Sequence, residues 1–399
     1  MTYRTFLHQG EDEMKGRLFL YAVLVATTSA TALGATSAPG DPIAAAGATA
    51  KWTTVYKSPL AIEGLTGDHQ GNLYVAQRGG SIGCPILRVR PPAGVAVLVG
   101  TVPAPCSPSG LTFDATGKLY VTGVGSAQDA IDVLTPSSSS PPTATQFATG
   151  VPGANGIAFD TQGALWATDG GTALGRVWKV PAAGGAGAEM FRVPTVASAN
   201  GVGRQVQTLQ GTQTPAVNPN TQAIVANGIE FAKDGSAVFV ADTARGAVWK
   251  IALDAKGNVS GKLGCDAAYP ANTLCADSLL AQNPQLEGAD GLVLDSSGNI
   301  WVAANERNAI TVVEPSGHVI EFFRSPPDAT TGLRNAGPLE TPTSPLLLGR
   351  VFCITQSDGN RRDNSPNSAG EVGPGTPSLG KVSCLQGLLP VRGVPLPIR

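Results

Sequence analysis

From about residue 58 onward the chain repeats one short pattern of polar and apolar positions. A polar residue and a Gly are followed by an apolar-x-apolar run, Asp or a relative, a Gly-bearing turn, and a second apolar run. The pattern reads EGLTGDHQGNLYVAQ from Glu63, SGLTFDATGKLYVTG from Ser109 and NGIAFDTQGALWATD from Asn155. It returns as NGIEFAKDGSAVFVADT from Asn227, DGLVLDSSGNIWVAA from Asp290 and, degraded, TSPLLLGRVFCIT from Thr343. Apolar residues on either side of a Gly turn predict a β-hairpin. A second hairpin usually follows, as in RVWKVPAAGGAGAEMFRVP (176–194) and AVWKIALDAKGNVSGKL (247–263).

Two hairpins per unit, repeated six times, predict an all-β chain: a six-bladed β-propeller with four-stranded blades, which buries blade faces against each other and leaves only short edges. KWTTVYK (51–57) or GKVSCLQG (380–387) is expected to complete the last blade. Trp166, Trp249 and Trp301 fall within expected strands and read as blade packing. The stretch from Ala197 to Ala223, rich in Gly, Thr, Gln and Asn, and PSSSSPPT (136–143) have little to bury and read as surface loops.

Composition agrees with many short strands and tight turns: 50 Gly and 31 Pro in 399 residues, with 14% charged. A net charge of −2 without a Lys/Arg run argues against nucleic acid as a partner. At the N-terminus Lys15 and Arg17 precede an apolar run from Leu18 to Ala26 and then small residues, the order of a secretory signal; Met14 is a candidate start. The apolar run is shorter than the roughly 20 residues a spanning helix needs, so no membrane attachment is expected after cleavage. The expected organisation is therefore signal and leader over 1–40, a linker and candidate closing strand over 41–57, the propeller over 58–393, and a tail over 394–399. The product would be a periplasmic or extracellular monomer. Six Cys in an exported chain read as disulfides, and proximity favours Cys84–Cys106, Cys265–Cys275 and Cys353–Cys384.

In a propeller the innermost strands run side by side around the axis, so the first letters of the six units meet in one ring: Glu63, Ser109, Asn155, Asn227, Asp290 and Thr343. In any single copy a polar residue before Gly is explained by turn-making. Two carboxylates and two carboxamides at four of six equivalent positions point instead to a shared hard cation, Ca²⁺ first, held by Glu63, Asn155, Asn227 and Asp290. Ser109 and Thr343 complete the ring as candidates to contact substrate or support the ion's ligands. Gln77, Asp169 and Asp242 end the second strands at the same mouth, where they either support the ion or substrate or cap loops. His8, His69 and His318 form no ligand spacing and read as solvated, and no G-x-S-x-G, P-loop or dinucleotide motif is present.

The ring order Glu, no ligand, Asn, Asn, Asp resembles the senescence-marker-protein/gluconolactonase family, with squid-type calcium-dependent phosphotriesterases as relatives. The resemblance spans about 58–393. It implies a divalent metal on Glu63, Asn155, Asn227 and Asp290, with Asp290 also general base or nucleophile, and a lactone or related ester as the small-molecule substrate. One departure bears on substrate: the family's sugar-lactone hydrolases carry Arg two residues before the first Asn, and here that residue is Gly153. Arg78, Arg204 or the insertion are the candidates to take its place. The alternative expectation is a non-catalytic exported propeller that binds a ligand or protein and uses the ion for stability.

Overall fold

The computed structural model describes residues 50–79, 82–195, 224–266, 271–326, 337–357 and 380–395, with the backbone alone of 206–208 and 211–213. The expected signal and leader, His8 and Arg204 lie outside the described residues, as does most of the insertion. Within the insertion, Val206–Thr208 pairs antiparallel with Gly211–Gln213. Among the described residues no helix is long and apolar enough to cross a membrane.

Six antiparallel sheets form a ring, as the repeat predicts. The inner strands are Thr66–Gly67, Leu111–Phe113, Ala154–Phe159, Ile229–Phe231, Ala289–Leu294 and Pro342–Leu348. Both candidate closing segments join the sixth blade. Lys381–Leu385 pairs with Val351–Gln356, and Trp52–Lys57 adds outside it with Thr53 opposite Cys384. The loop in the third blade's outer hairpin reaches sideways, and its Gly185–Ala186 pairs parallel with Thr145–Thr149 of the second blade. The three disulfides have the pairing that proximity favours. Cys84–Cys106 ties the first blade to the chain entering the second, and Cys353–Cys384 crosses the second and third strands of the closing blade.

The recurrent Asp has a specific task in the inner hairpin. Asp68, Asp114, Asp160 and Asp295 each accept backbone N–H groups two and four residues on through Oδ1, which holds the tight turn. Their Oδ2 atoms take the polar hydrogen of the aromatic six residues on: Tyr74, Tyr120, Trp166 and Trp301, at 2.9–3.1 Å. A buried indole or phenol needs such a partner. The fourth blade shows the converse. Its turn has Ala232 in place of Asp and is one residue longer, and the ring that occupies the aromatic position is Phe239, which has no hydrogen to donate.

The same rings join consecutive blades. Tyr74 meets Phe113 at 4.9 Å, Tyr120 meets Phe159 at 5.1 Å, Trp166 meets Phe231 at 5.5 Å and Trp301 meets Phe352 at 5.5 Å between centroids. Phe-Asp in the repeat therefore carries two functions: the Phe packs against the preceding blade and the Asp holds its own blade's ring. Trp249 is buried likewise, its Nε1 donating to Asp242 at 3.1 Å.

The inner strands enclose a narrow tunnel with about 90 Å³ of water-accessible volume, lined by Leu65, Gly110, Gly156, Gly291, Ser344 and Glu230 among others. Glu230 accepts the backbone N–H of Phe231 at 3.0 Å through Oε1, and burial pushes its carboxyl up to about 7. The folded state thus holds a proton that the unfolded chain releases near pH 4.5. That contribution to stability is full below the unfolded value and is lost as pH rises through about 7. Thermal melts should show stability falling between pH 5 and pH 8. Glu230→Gln should lessen that dependence, leaving the share due to Asp290, and gain on the order of 3 kcal/mol at pH 8; melts of the two proteins that stay parallel across pH would contradict this.

Candidate metal centre and active site

The mouth is shaped first by crowding. Each ring residue is followed by Gly, except Thr343, which is followed by Ser344. A Cβ added at Gly156, Gly228 or Gly291 would lie 2.5 Å from the carbonyl oxygen of Asn227, Asp290 or Thr343 in the next blade, and one at Gly64 or Gly110 would be closer still to Ser109 or Asn155. Side-chain hydroxyls stitch the same seam. Thr122 donates to the Asn155 carbonyl at 2.5 Å, Thr243 to the Ala289 carbonyl at 2.6 Å, and Thr168 to the Asn227 carbonyl. At the sixth position the hydroxyls of Thr343 and Thr355 both donate to the Glu63 carbonyl, closing the circle. The Gly beside each polar residue is thus a packing requirement, and it leaves the ring residue's side chain as the group presented at the mouth.

The structure brings part of the expected ring into direct contact. Glu63, Ser109, Asn227 and Asp290 are buried and Asn155 is half-buried. Asn227 Nδ2 donates to Thr243 Oγ1 at 3.0 Å, and the Asn227 side chain helps draw the Asp290 carboxyl down against its burial. Asn305 Nδ2 donates to Asp290 Oδ2 at 2.9 Å and so orients that carboxyl. Asn155 packs over the backbone of Gly170, where a Cβ would strike its side chain. Arg78 reaches across from the first blade. Its Nη2 donates to Glu63 Oε2 and to Ser109 Oγ at 2.8 Å, and its Nε donates to the Pro108 carbonyl at 2.9 Å.

Arg78, Asn305 and Thr243 were not placed in the ring by its motif. Arg78 and Asn305 lie fifteen residues beyond their own ring residues, and Thr243 lies sixteen beyond in the blade with the longer turn. That constant offset past the second strand is the signal that identifies them.

The other candidates are held elsewhere. Gln77 Nε2 donates to Ser58 Oγ at 2.9 Å and Tyr56 Oη at 3.1 Å, joining the sixth and first blades. Asp169 takes Arg176 Nε at 2.6 Å and the Thr172 N–H at 2.9 Å, and Asp242 takes Arg245 Nη1 at 2.7 Å and the Arg245 N–H at 3.0 Å. Both aspartates are fully buried, and these bonds hold the loops that follow their strands. Thr343 spends its hydroxyl on the Glu63 carbonyl. His69 and His318 are exposed, as their patterns imply.

Burial pushes the Asp290 carboxyl up to about 7, against the opposing pull of the Asn305 hydrogen bond and the Arg78 charge. The same burial draws Arg78 down to about 10, which leaves it cationic at neutral pH. Two buried carboxylates with carboxamide neighbours offer oxygen donors only, which suits a hard cation and not zinc. Among the described residues no cluster of three or more His, Cys, Asp and Glu side chains exists, so a divalent ion here would depend on the amide oxygens of Asn155 and Asn227 as well as on Glu63 and Asp290. The donor set fits such an ion.

At Gly153 the local structure explains the departure from Arg. The residue has φ +74°, and an added Cβ would collide with Asp169 Oδ1. Asp169 and its partner Arg176 fill the space, Arg176 lying 4.9 Å over the Trp178 ring.

Residues 152–338 match the SMP-30/Gluconolactonase/LRE-like region, which takes in Asn155, Asn227 and Asp290; Glu63 lies before the matched segment. No curated protein matches the chain. Among solved structures, a calcium-binding protein, regucalcin, from Agrobacterium tumefaciens superposes with a TM-score of 0.57 at 17% identity, covering 88% of this chain and 98% of that one. A gluconolactonase from Xanthomonas campestris gives 0.52 at 16%, covering 84% and 89%. A PQQ-bound aldose sugar dehydrogenase from Streptomyces coelicolor gives 0.53 at 14%, covering 84% and 99%. At these identities the superpositions show a common propeller and leave chemistry to the site.

If ring crowding sets the geometry, Gly156→Ala should destabilise the protein by about 1–3 kcal/mol, as overpacking does. Ala at Gly261, whose φ is not positive, meets only the Ser278 hydroxyl within 4 Å, at 3.5 Å, and should cost little. Denaturant melts of the two variants should separate them, and equal losses would remove the crowding argument.

Proposed function

Because the chain carries the SMP-30/gluconolactonase-like region, we propose that it is an exported, metal-dependent hydrolase of a lactone or related ester. The observation that carries this reading is Asp290: a buried carboxyl in the axial ring, oriented by the Asn305 hydrogen bond and next in the ring to Asn227. Glu63, Asn155, Asn227 and Asp290 would hold the ion, with Ca²⁺ the first choice because every donor is oxygen; the regucalcin fold relative is itself a calcium-binding protein. The ion would supply Lewis-acid polarisation of the scissile carbonyl.

The chain's own residues supply the proton chemistry. Asp290 takes a proton from water as the water oxygen bonds to the carbonyl carbon. The ring C–O bond then breaks, and the same proton passes to the departing alkoxide, giving a hydroxy acid. Asn305 keeps Oδ2 engaged and limits the orientations open to the carboxyl. Ser109, tied to Arg78, lines the adjacent wall.

The filled space at Gly153 favours a second reading, in which the mouth binds a ligand without turning it over. A lactone panel assayed with and without chelator separates the two. The hydrolase reading expects turnover that chelator removes and that Asp290→Asn lowers by about 10²–10⁴-fold, the range typical of a lost general base. Full metal-dependent turnover in Asp290→Asn would remove Asp290 as base. A protein that chelator destabilises, yet that cleaves no lactone, ester or phosphotriester, would belong to the second reading.

A further inference from the structure

The residue at the constant offset past the second strand is small or neutral where it meets an Asn or Asp ring residue: Gly170 under Asn155, Thr243 beside Asn227 and Asn305 beside Asp290. The first blade alone places a full cation there. Packing at this position is met by side chains as small as none at all, so the fold does not call for a guanidinium. Its long side chain is nevertheless fixed at three points. Nε donates to the Pro108 carbonyl and Nη2 to Ser109 and Glu63, while the backbone N–H of Arg78 separately donates to the Ala61 carbonyl at 2.8 Å. Among the described residues Nη1 bonds no protein group, and 29% of the side chain is exposed.

Glu63 and Asp290 carry the only formal negative charges of the ring; its other members, Ser109, Asn155, Asn227 and Thr343, are neutral. Arg78 pairs directly with Glu63 and its charge is felt at Asp290. A guanidinium and a divalent ion drawn to these carboxylates would therefore compete for the same oxygens and repel each other at close range. Few carboxylate lone pairs are available to share, and the charges lie in a setting poorly screened by water.

We propose that Arg78 is a tethered counter-cation of the mouth: it neutralises Glu63 when no metal is bound, and a divalent cation must displace it from Glu63 to enter. Arg78 thereby sets the metal affinity of the ring and makes metal entry release a guanidinium into the mouth. The inference rests on the metal-site reading above, extends it to a residue outside the ligand set, and does not depend on the reaction catalysed.

The test is calorimetric titration of Ca²⁺, and separately Mn²⁺, into the metal-stripped full chain. Arg78→Gln should bind at least about tenfold more tightly than the wild type, since a like charge near the ion is removed. Arg78→Lys, which keeps the charge, should stay close to wild type. The metal-free Arg78→Gln protein should melt below wild type, because Glu63 loses its partner, and should gain more on metal addition. In the wild type labelled at arginine, Ca²⁺ should shift the Arg78 Nε–H resonance, a readout that stands if Arg78→Gln does not fold. Equal or weaker binding by Arg78→Gln, or an unmoved Nε–H signal on saturation, overturns the proposal and leaves the metal site in place. If neither protein binds either ion, the metal reading fails and the proposal falls with it.

Discussion

Everything at the mouth depends on how closely six strands can approach one axis. Carbonyl oxygens of one inner strand lie where a Cβ of the preceding strand would be, so five of the six blades have Gly at that position. Strand spacing elsewhere in a blade is set by hydrogen bonds, but here it is set by contact between blades. The consequence is rigidity. A ring residue cannot drift along its strand without driving the following position into a neighbouring carbonyl. Oxygen donors carried on this seam are held by packing and not by a loop, which is the condition a preorganised site needs.

The electrostatics of the mouth follow from the same closeness. Carboxyls on converging strands are buried together whether or not a partner is present, and burial raises the cost of ionising them. The two at the axis, Glu63 and Asp290, are served by one guanidinium. The two at the strand ends, Asp169 and Asp242, each have a private arginine, Arg176 and Arg245. The strand-end pairs are satisfied within their own blade, and the axial pair is incompletely balanced. That imbalance sets the axis apart from the strand ends.

The fold was legible because the blade repeats. Polar-Gly, apolar alternation and the turn Asp recur often enough to count blades, and the inner ring follows from geometry once blades are counted. Even so, the Asp carried more than a turn: its bond to Tyr74, Tyr120, Trp166 or Trp301 is visible in sequence only as a fixed spacing of six. The partners of the ring were less legible because they share a position and not a residue type. Arg, Gly, Thr and Asn at one offset look unrelated until their blades are superposed. Asp169 and Asp242 were ambiguous for the opposite reason: an Asp at the end of a strand looks the same whether it faces a ligand or an arginine within the next few residues.

The sixth blade combines the first described strand, Trp52–Lys57, with the last, Lys381–Leu385. The earliest part of the ring to leave a ribosome therefore waits for almost the final part. Blades one to five can be complete in sequence while the circle remains open and the seam between Thr343 and Glu63 is unmade. Glu63 belongs to the first blade at that seam, and Thr343 and Thr355 of the sixth blade hold its carbonyl. Closure therefore ties together residues 280 positions apart, because the Thr343 hydroxyl reaches the Glu63 carbonyl only where the last blade meets the first.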